Sequence, residues 1–268
     1  MGRLYGSAVT KARIDAVLAE RGLFPSRTAA AGAVRAGEVR VGAGGPLALR
    51  PSQLVAADVE LLVEQGPRFA SRGGIKLDNA LTALAVEVAG RDCLDVGAST
   101  GGFVDCLLQR GAARVIALDV AYGQLDLRLR EDPRVTVLER LNARHLGAAD
   151  LPFVPSLATI DVSFISIAKV LPAVAACLSP GGEVLAMVKP QFELGRERVR
   201  KGVVRDPGDR REAILAIARV AAGLGLPVRG FASSGLPGPK GNRETFVWCG
   251  GKGRPVPDFE AAIREVEP

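Results

Sequence analysis

The stretch Cys93-Leu94-Asp95-Val96-Gly97-Ala98-Ser99-Thr100-Gly101-Gly102-Phe103 constrains this chain more than any other. It reads as the end of a buried strand, a tight glycine turn and the opening of a helix. Gly97, Gly101 and Gly102 let the backbone turn sharply and let a ligand approach the main chain closely. Ser99 or Thr100 can cap the helix that follows. The first turn of that helix holds backbone N–H groups with no partner inside the helix. In an open α/β sheet, ligands bind at this kind of edge.

Glycine is common in any βα turn, so the neighbouring residues decide the reading. Asp95 sits at a strand end, where a carboxylate is costly unless it has work. A second strand, Arg114-Val115-Ile116-Ala117-Leu118-Asp119, ends on another acid about one βα unit later. Asp119 is placed to bond ribose hydroxyls. The turn is not the dinucleotide fingerprint G-x-G-x-x-G, and no second half follows to hold a nicotinamide. D-x-G-x-x-x-G-G resembles the S-adenosylmethionine (SAM) loop of class I methyltransferases. That resemblance implies that the glycines pass the methionine end of SAM and the second acid holds its ribose.

A length of 268 residues suggests one or two domains with ample chain for a core. With 48% hydrophobic and 24% charged residues, the composition is that of a soluble globular protein. No apolar run is long enough to cross a bilayer, and the N-terminus lacks the apolar block of a secretory signal. A cytoplasmic location without membrane contact is expected. Cys93, Cys106, Cys177 and Cys249 form no C-x-x-C pair and His145 is the single histidine, so no metal site is expected. The net charge of +6 and a pI near 9.4 allow a polyanionic partner. The sequence leaves the oligomeric state open, with a monomer favoured.

Residues 1–63 form a first unit. Ile14, Val17 and Leu18 mark the buried face of a helix that Gly22 ends. Ser26 caps a second helix from Arg27 to Arg35, ended by Gly37. Glu38-Val39-Arg40-Val41 and Val59-Glu60-Leu61-Leu62-Val63 read as strands, with a turn over Gly42–Gly45. The order R-I-D-x-x-L-x-x-x-G, S-R-x-x-A and A-G-x-V-x-V resembles the S4 domain, a small RNA-binding module. Here it runs through Arg13, Ile14, Asp15, Leu18, Gly22, Ser26, Arg27, Ala30, Ala36, Gly37, Val39 and Val41. The resemblance implies binding of folded RNA, with Arg13, Arg27 and Arg35 at the phosphates.

Residues 64–70 read as a linker, since Gly66-Pro67 breaks both periodic structures. Residues 71–268 form the second domain, introduced by a helix with Ile75, Leu77, Leu81 and Leu84 on its inner face. Strands are predicted near 92–96, 114–119, 135–138, 157–162, 183–188, 227–232 and 244–249. Helices are predicted over 101–110, 122–130, 166–177 and 209–223, with a closing helix within 256–266. This alternation predicts an α/β fold with a mostly parallel seven-stranded sheet covered on both faces, and the Ser179-Pro180-Gly181-Gly182 turn and late hairpin resemble the class I (Rossmann-like) methyltransferases. Gln191 to Asp206, with Arg196, Arg198, Arg200, Lys201 and Arg205, reads as a mobile basic loop placed where ligands bind.

Lys76, Asp161, Lys189 and Glu244 stand out as candidate catalytic residues. Asp161 and Lys189 each follow a strand, and such strand ends share one rim. The segments S-R-G-G-x-K-L, D-V-S-F-I-S, V-K-P-Q-F-E and G-N-R-E-x-F, with the glycine turn between the first two, resemble the TlyA (hemolysin-A-like) family. That family joins an S4 domain to an FtsJ-like methyltransferase domain. The resemblance covers nearly the whole chain and implies SAM-dependent 2′-O-methylation of ribosomal RNA, typically at cytidines, with ribosomal RNA or assembled subunits as partner. It implies a catalytic tetrad of Lys76, Asp161, Lys189 and Glu244. It implies SAM contacts at Asp95, Gly97, Ser99, Thr100, Gly101, Asp119 and Asn142, with Asp161 near the methyl donor. Relatives can carry Arg-x-Trp-Val in the linker, where this chain has Arg68-Phe69-Ala70-Ser71.

A ribose hydroxyl needs a base, and a lysine can serve only when neutral. Lys189 is therefore read as the base and Lys76 as a positioning cation. Asp161 would orient both lysines and Glu244 would fix one of them. Three rival readings fit the sequence less well. Amine-directed base methylation usually shows Asn/Asp-Pro-Pro-aromatic where this chain has Asp161-Val162-Ser163-Phe164, and carbon-5 methylation needs a cysteine commonly followed by proline, which none of the four is. A binding-only protein would be expected to have lost part of the pattern. A membrane-lytic protein would need a spanning segment or a cationic amphipathic helix.

Overall fold

The computed structural model describes residues 11–63 and 68–268. The chain divides into two compact units, residues 1–68 and 69–268. The first contains β1 (Lys11–Arg13), α1 (Ile14–Glu20), α2 (Arg27–Ala36), β2 (Val39–Val41), β3 (Leu54–Ala56) and β4 (Leu61–Val63). β1 pairs antiparallel with β3, and β2 with β4. Ile14, Val17, Leu18, Ala30, Val34 and Val39 form its core. Ser26 accepts a hydrogen bond from Ala29 N, and Gly37 ends α2 in the left-handed conformation, as the sequence predicts.

β1 and β3 were not anticipated. Three residues are too few to show an alternating pattern, and their pairing joins positions some forty residues apart. The arginines also divide. Arg13 donates to both oxygens of the buried Asp15, at 3.0 and 2.6 Å, which holds that carboxyl below the usual range. Arg27 lies 3.7 Å from the same carboxylate, and Arg35 is exposed. Arg21 donates to Val59 O at 2.7 Å and to Ala57 O, so it ties α1 to the segment before β4.

The second unit opens with α3 (Arg72–Ala83). It continues through β5 (Asp92–Val96), α4 (Gly102–Gln109), β6 (Arg114–Asp119), α5 (Leu127–Arg130), β7 (Val135–Glu139), β8 (Leu157–Ile160) and α6 (Leu171–Ala176). β9 (Glu183–Val188), α7 (Pro190–Glu193), α8 (Pro207–Gly223), β10 (Val228–Ser233), β11 (Thr245–Gly250) and α9 (Phe259–Val266) complete it. The seven strands run in the order β10-β11-β9-β8-β5-β6-β7. Only β11 is antiparallel to its neighbours, β9 and β10. The chain winds from β5 outward through β6 and β7, then returns to lay β8 on the other side of β5. The topological switch point therefore lies between β5 and β8, where open α/β sheets bind ligands.

Alternate strand residues face opposite layers. Leu94, Val96, Ile160, Val188 and Val247 pack against α6, α8 and α9. Cys93, Val115, Leu157, Met187 and Phe246 pack against α3 and α4. The helices predicted over 122–130 and 166–177 are shorter than their pattern suggests. The first is only α5, capped by Asp126; the second is a 3₁₀ turn over Ile167–Lys169 followed by α6.

Two expectations change here. Of the predicted linker, residues 64–67 lie outside the described residues, and Phe69 and Ala70 belong to the second unit. Phe69 is 1% exposed, and Ala70 N donates to Asp105 at 2.7 Å. A Cβ on Gly74 would lie 2.4 Å from Phe69 and 2.7 Å from Gly102 O. The ring therefore fills the notch where α3 crosses the start of α4, and only a glycine at 74 leaves room. The predicted mobile loop after β9 is also tied down. It forms α7 and a further 3₁₀ turn, and the Asn242 side chain accepts from Val204 N at 3.1 Å and donates to Gly202 O at 2.8 Å.

Asp95 points into the layer beneath α3 and α4 and is fully buried. One carboxylate oxygen accepts from the Thr159 hydroxyl at 2.7 Å; the other has no protein partner. Burial, helped by the neighbouring Asp161 and Asp119, pushes its pKa up to about 8. Between the ordinary carboxylate range and pH 8 the folded state thus holds a proton that the unfolded chain has released. Stability must fall as pH rises through that window.

Phe69→Ala should lower unfolding stability by about 3–5 kcal/mol, as for a buried aromatic, when read by urea denaturation. A linker residue would change it by about 0.5 kcal/mol or less. Asp95→Asn should match wild type in melting temperature near pH 4 and exceed it increasingly toward pH 8. Parallel melting curves across that range would contradict the assigned titration.

Candidate active site

Four strand ends build one rim. Gly97 follows β5, Asp161 follows β8 and Lys189 follows β9. β11 runs the other way, so its first residue, Thr245, pairs with Val188 at the end of β9. Glu244 therefore reaches the same rim from the opposite chain direction. α3 brings Lys76 over it, because Gly73, Gly74 and Gly102 let α3 and α4 approach closely.

The four candidate catalytic residues come together as two ion pairs. Lys76 Nζ bonds Glu244 Oε2 in a buried contact. Lys189 Nζ lies 2.5 Å from Asp161 Oδ1 and donates to Ser163 Oγ at 3.0 Å. The Lys189–Asp161 contact is a close ion pair without hydrogen-bond alignment, because Asp161 Oδ1 has no hydrogen-bond partner by direction. Two ammonium and two carboxylate groups thus balance. Glu244 Oε1 remains a buried acceptor without a partner.

Two cavities meet here. One, of about 370 Å³, is walled by Leu118, Leu141, Val162 and Ile165 and by the polar groups of Ser99, Asp119, Gln124 and Asn142. The other, of about 260 Å³, is lined by Lys76, Thr100, Phe103, Met187, Lys189 and Glu244, among others. Gly97, Ser99 and Asp161 belong to both walls. Gly97 has φ +89°, and a Cβ there would lie 2.5 Å from Asp161 O. The glycine is thus required both by conformation and by the closeness of the next strand. Asp119 accepts from Ser99 N and Ala121 N, both at 2.7 Å, which aims the carboxylate into the larger cavity.

Of the expected cofactor residues, Gly97, Ser99, Asp119, Asn142 and Asp161 line the larger cavity and Thr100 the smaller. Asp95 and Gly101 line neither. Asp95 is buried behind the wall. Gly101, rather than Ser99 or Thr100, occupies the cap of α4, with φ +95° and no side-chain cap bond. Asn142 also caps a 3₁₀ turn by accepting from Arg144 N at 3.1 Å. Among the described residues no group of His, Cys, Asp and Glu could hold a metal ion.

Three residues escaped the sequence reading. Ser163 accepts from Lys189. Phe164 is 92% exposed at the lip of the larger cavity, with φ +65°, and packs on Phe192 at 5.2 Å between ring centroids. Glu193 accepts from the Ser166 hydroxyl at 2.5 Å and from Ile167 N at 2.9 Å, and burial pushes its pKa up. These contacts clamp D-V-S-F-I-S to K-P-Q-F-E. The signal lay in the length of the two motifs, which extend well past the residues given a chemical role.

Comparison with known proteins fits this geometry. The profile of the FtsJ-like methyltransferase family matches residues 69–252. The 16S/23S rRNA (cytidine-2′-O)-methyltransferase TlyA of Mycobacterium tuberculosis is 49% identical over 241 residues, 89% of each chain. Hemolysin A of Brachyspira hyodysenteriae is 37% identical over 235 residues, 87% of this chain and 97% of that one. A Streptococcus thermophilus structure described provisionally as a hemolysin superposes with a TM-score of 0.73 at 37% identity, covering 96% of both chains. A rim carrying two lysine–carboxylate pairs beside a glycine-lined cleft, on a sequence this close to those proteins, makes the chain a member of the TlyA family, with an FtsJ-like methyltransferase domain.

Proposed function

We propose that this protein methylates a ribose 2′-hydroxyl of ribosomal RNA, on cytidine, with S-adenosylmethionine as donor. The observation that carries the reading is the meeting of the Lys76–Glu244 and Lys189–Asp161 pairs at the wall shared by the two cavities. The larger cavity suits the cofactor, because its floor is apolar, its polar groups converge and the Gly97 cradle admits close approach of a ligand. Asp119 would hold the ribose and Asn142 the adenine end, with Gly97 and Ser99 at the methionine end. When bound, SAM supplies an electrophilic methyl group on a sulfonium.

The chain's own residues manage the hydroxyl. It is a weak nucleophile at neutral pH until a base takes its proton. Lys189 Nζ, in its neutral form, is that base, oriented by Asp161 and Ser163. Lys76 positions the hydroxyl, and Glu244 fixes Lys76. Holding the oxygen in line for attack contributes several kcal/mol or more, within the ~7–11 kcal/mol seen in well-oriented systems. The first unit acts as an S4-like module that supplies RNA affinity. The exposed Arg35 is better placed for phosphate than Arg13, whose guanidinium bonds Asp15, or Arg27, which lies 3.7 Å from the same carboxylate. Ribosomal RNA as substrate places the work in the cytoplasm.

Rival chemistries find less support. Carbon-5 base methylation needs a thiolate, yet all four cysteines are buried, and burial pushes Cys93 and Cys249 up to about 12. No helix among the described residues is long and apolar enough to cross a membrane.

Gly97→Val should abolish SAM binding in calorimetry; undiminished affinity would refute the placement of the cofactor. Lys189→Ala should lower single-turnover methylation of ribosomal subunits, taken from a strain lacking the enzyme, by about 10²–10⁴-fold. SAM affinity should stay near wild type. Lys189→Arg should not restore activity, since guanidinium keeps its proton, whereas Lys76→Arg should retain more. Mapping of the modified nucleotide tests the reaction itself: methyl on a base rather than on a 2′-oxygen would overturn the reading.

A further inference from the structure

Two turns leave the catalytic rim and meet again beside it. One lies in the segment that follows Lys189, the other in the segment that precedes Glu244. In the first, Val203 N donates to Arg200 O at 3.1 Å, and Lys201 and Gly202 have φ +54° and +79°. Positive φ at both central positions is the pattern of a type I′ turn. In the second, Gly241 N donates to Gly238 O at 3.0 Å, and Lys240 has φ +62°. Each lysine thus holds a left-handed conformation that glycine or asparagine adopts more readily, and each is followed by a glycine.

The turns are locked together. Asn242 is 2% exposed and spends its amide on Gly202 O and Val204 N. Lys240 lies over the first turn: a Cβ on Gly202 would be 3.2 Å from its ammonium. Arg200, Lys201, Arg205 and Lys240 are all exposed, and none has an acidic side-chain partner among the described residues. The neighbouring Arg198 and Arg243, by contrast, face Glu212 and Glu267. The arrangement therefore brings the Lys240 ammonium onto the turn that carries Lys201, with both lysines on left-handed backbone and like charges on one turn. Strain of this kind persists where the surroundings impose it, and it marks functional segments.

We infer that Arg200, Lys201, Arg205 and Lys240 form a phosphate-gripping platform in the methyltransferase unit, which holds the RNA backbone beside the reacting ribose. This rests on the proposed RNA substrate and adds a second contact to that of the first unit. Its place follows from connectivity. Gly238, which starts the second turn, packs against Glu244: a Cβ there would lie 2.2 Å from Glu244 Oε1. A strand gripped on these turns therefore lies next to Glu244. Asn242 is a positioning residue that keeps the two turns in register.

The test uses the full chain with Lys201→Gly and Lys240→Gly combined. Glycine fits both left-handed positions, so melting temperature and SAM affinity should not fall. Binding to purified ribosomal subunits is measured across a potassium chloride series. Each lost phosphate contact should make the slope of log K against log salt shallower by about 0.7–0.9, or roughly 1.5 for the pair. The same slope and affinity as wild type would overturn the platform. So would a loss confined to preparations that have also lost SAM affinity. Asn242→Ala should raise KM for the subunits more than it lowers kcat; an equal fall in kcat with KM unchanged would remove its positioning role. The binding series needs no turnover. A wild-type protein that methylates no ribose would therefore refute the proposed reaction, while the salt slope still decides the platform.

Discussion

The Lys76–Glu244 pair joins the first helix of the second unit to its last strand, across 168 residues of sequence. Both side chains are nearly out of water, at 9% and 0% exposure. Such a pair adds little net stability, because each charge gives up its hydration. Leaving one partner alone is far worse, by about 3–5 kcal/mol. The pair therefore works as a closing condition: helix α3 must sit on the rim and strand β11 must enter the sheet before either charge is tolerable. Everything that shapes the smaller cavity serves that closure. Glycines 73, 74 and 102 let α3 approach α4, Phe69 fills the notch beneath, and the antiparallel entry of β11 brings Glu244 to the C-terminal ends of parallel strands.

The second pair is built on a different principle. Asp161 and Lys189 follow adjacent parallel strands, so their meeting needs only the register of β8 and β9. This is why both could be read from sequence. A hydrophobic run that ends on a charged residue locates a strand end, and strand ends of an α/β sheet share a rim. Lys76 and Glu244 carry no such local mark. They were legible only through motif resemblance, since one lies on a helix and the other precedes a strand of reversed direction.

The same distinction runs through the fold. All seven sheet strands of the second unit were legible: the central ones are short, largely apolar runs bounded by turns, and β7 and β10, which carry Thr136, Arg229 and Gly230, stand out by their place in the strand–helix alternation. β1 and β3 of the first unit were not, since their three residues gain stability only by pairing with each other. Phe69 next to Gly-Pro looks like linker until the helix it packs under is known. The segment after β9 looks like a free basic loop until Asn242, some forty residues away, is seen to hold it. Asp95 reads from sequence as a carboxylate with work to do at the ligand edge, but its side chain faces the helices rather than the cleft. Strand parity settles this, for Asp95 shares the face of Cys93 and not that of Leu94.

What the strand ends do not supply is carried by strained loops. Ser99 and Phe164 both line the larger cavity and both have positive φ, +46° and +65°. A bulky aromatic residue in that region is a genuine outlier, and each such residue costs about 1–3 kcal/mol. Each is held by its neighbours. Ser99 N is fixed by Asp119, at the end of β6. Phe164 stands between the Lys189–Ser163 bond and the Glu193–Ser166 bond and packs at a tilt of 51° against Phe192. The chain between Asp161 and Ile167 is thus pinned on both sides of the ring. The rigid sheet fixes where charge is placed; the clamp between D-V-S-F-I-S and K-P-Q-F-E fixes an exposed aromatic face at the entrance to that charge. The ring is held to Asp161 and Lys189 by the same short segments, so a displacement of Glu193 would move the entrance and the base together.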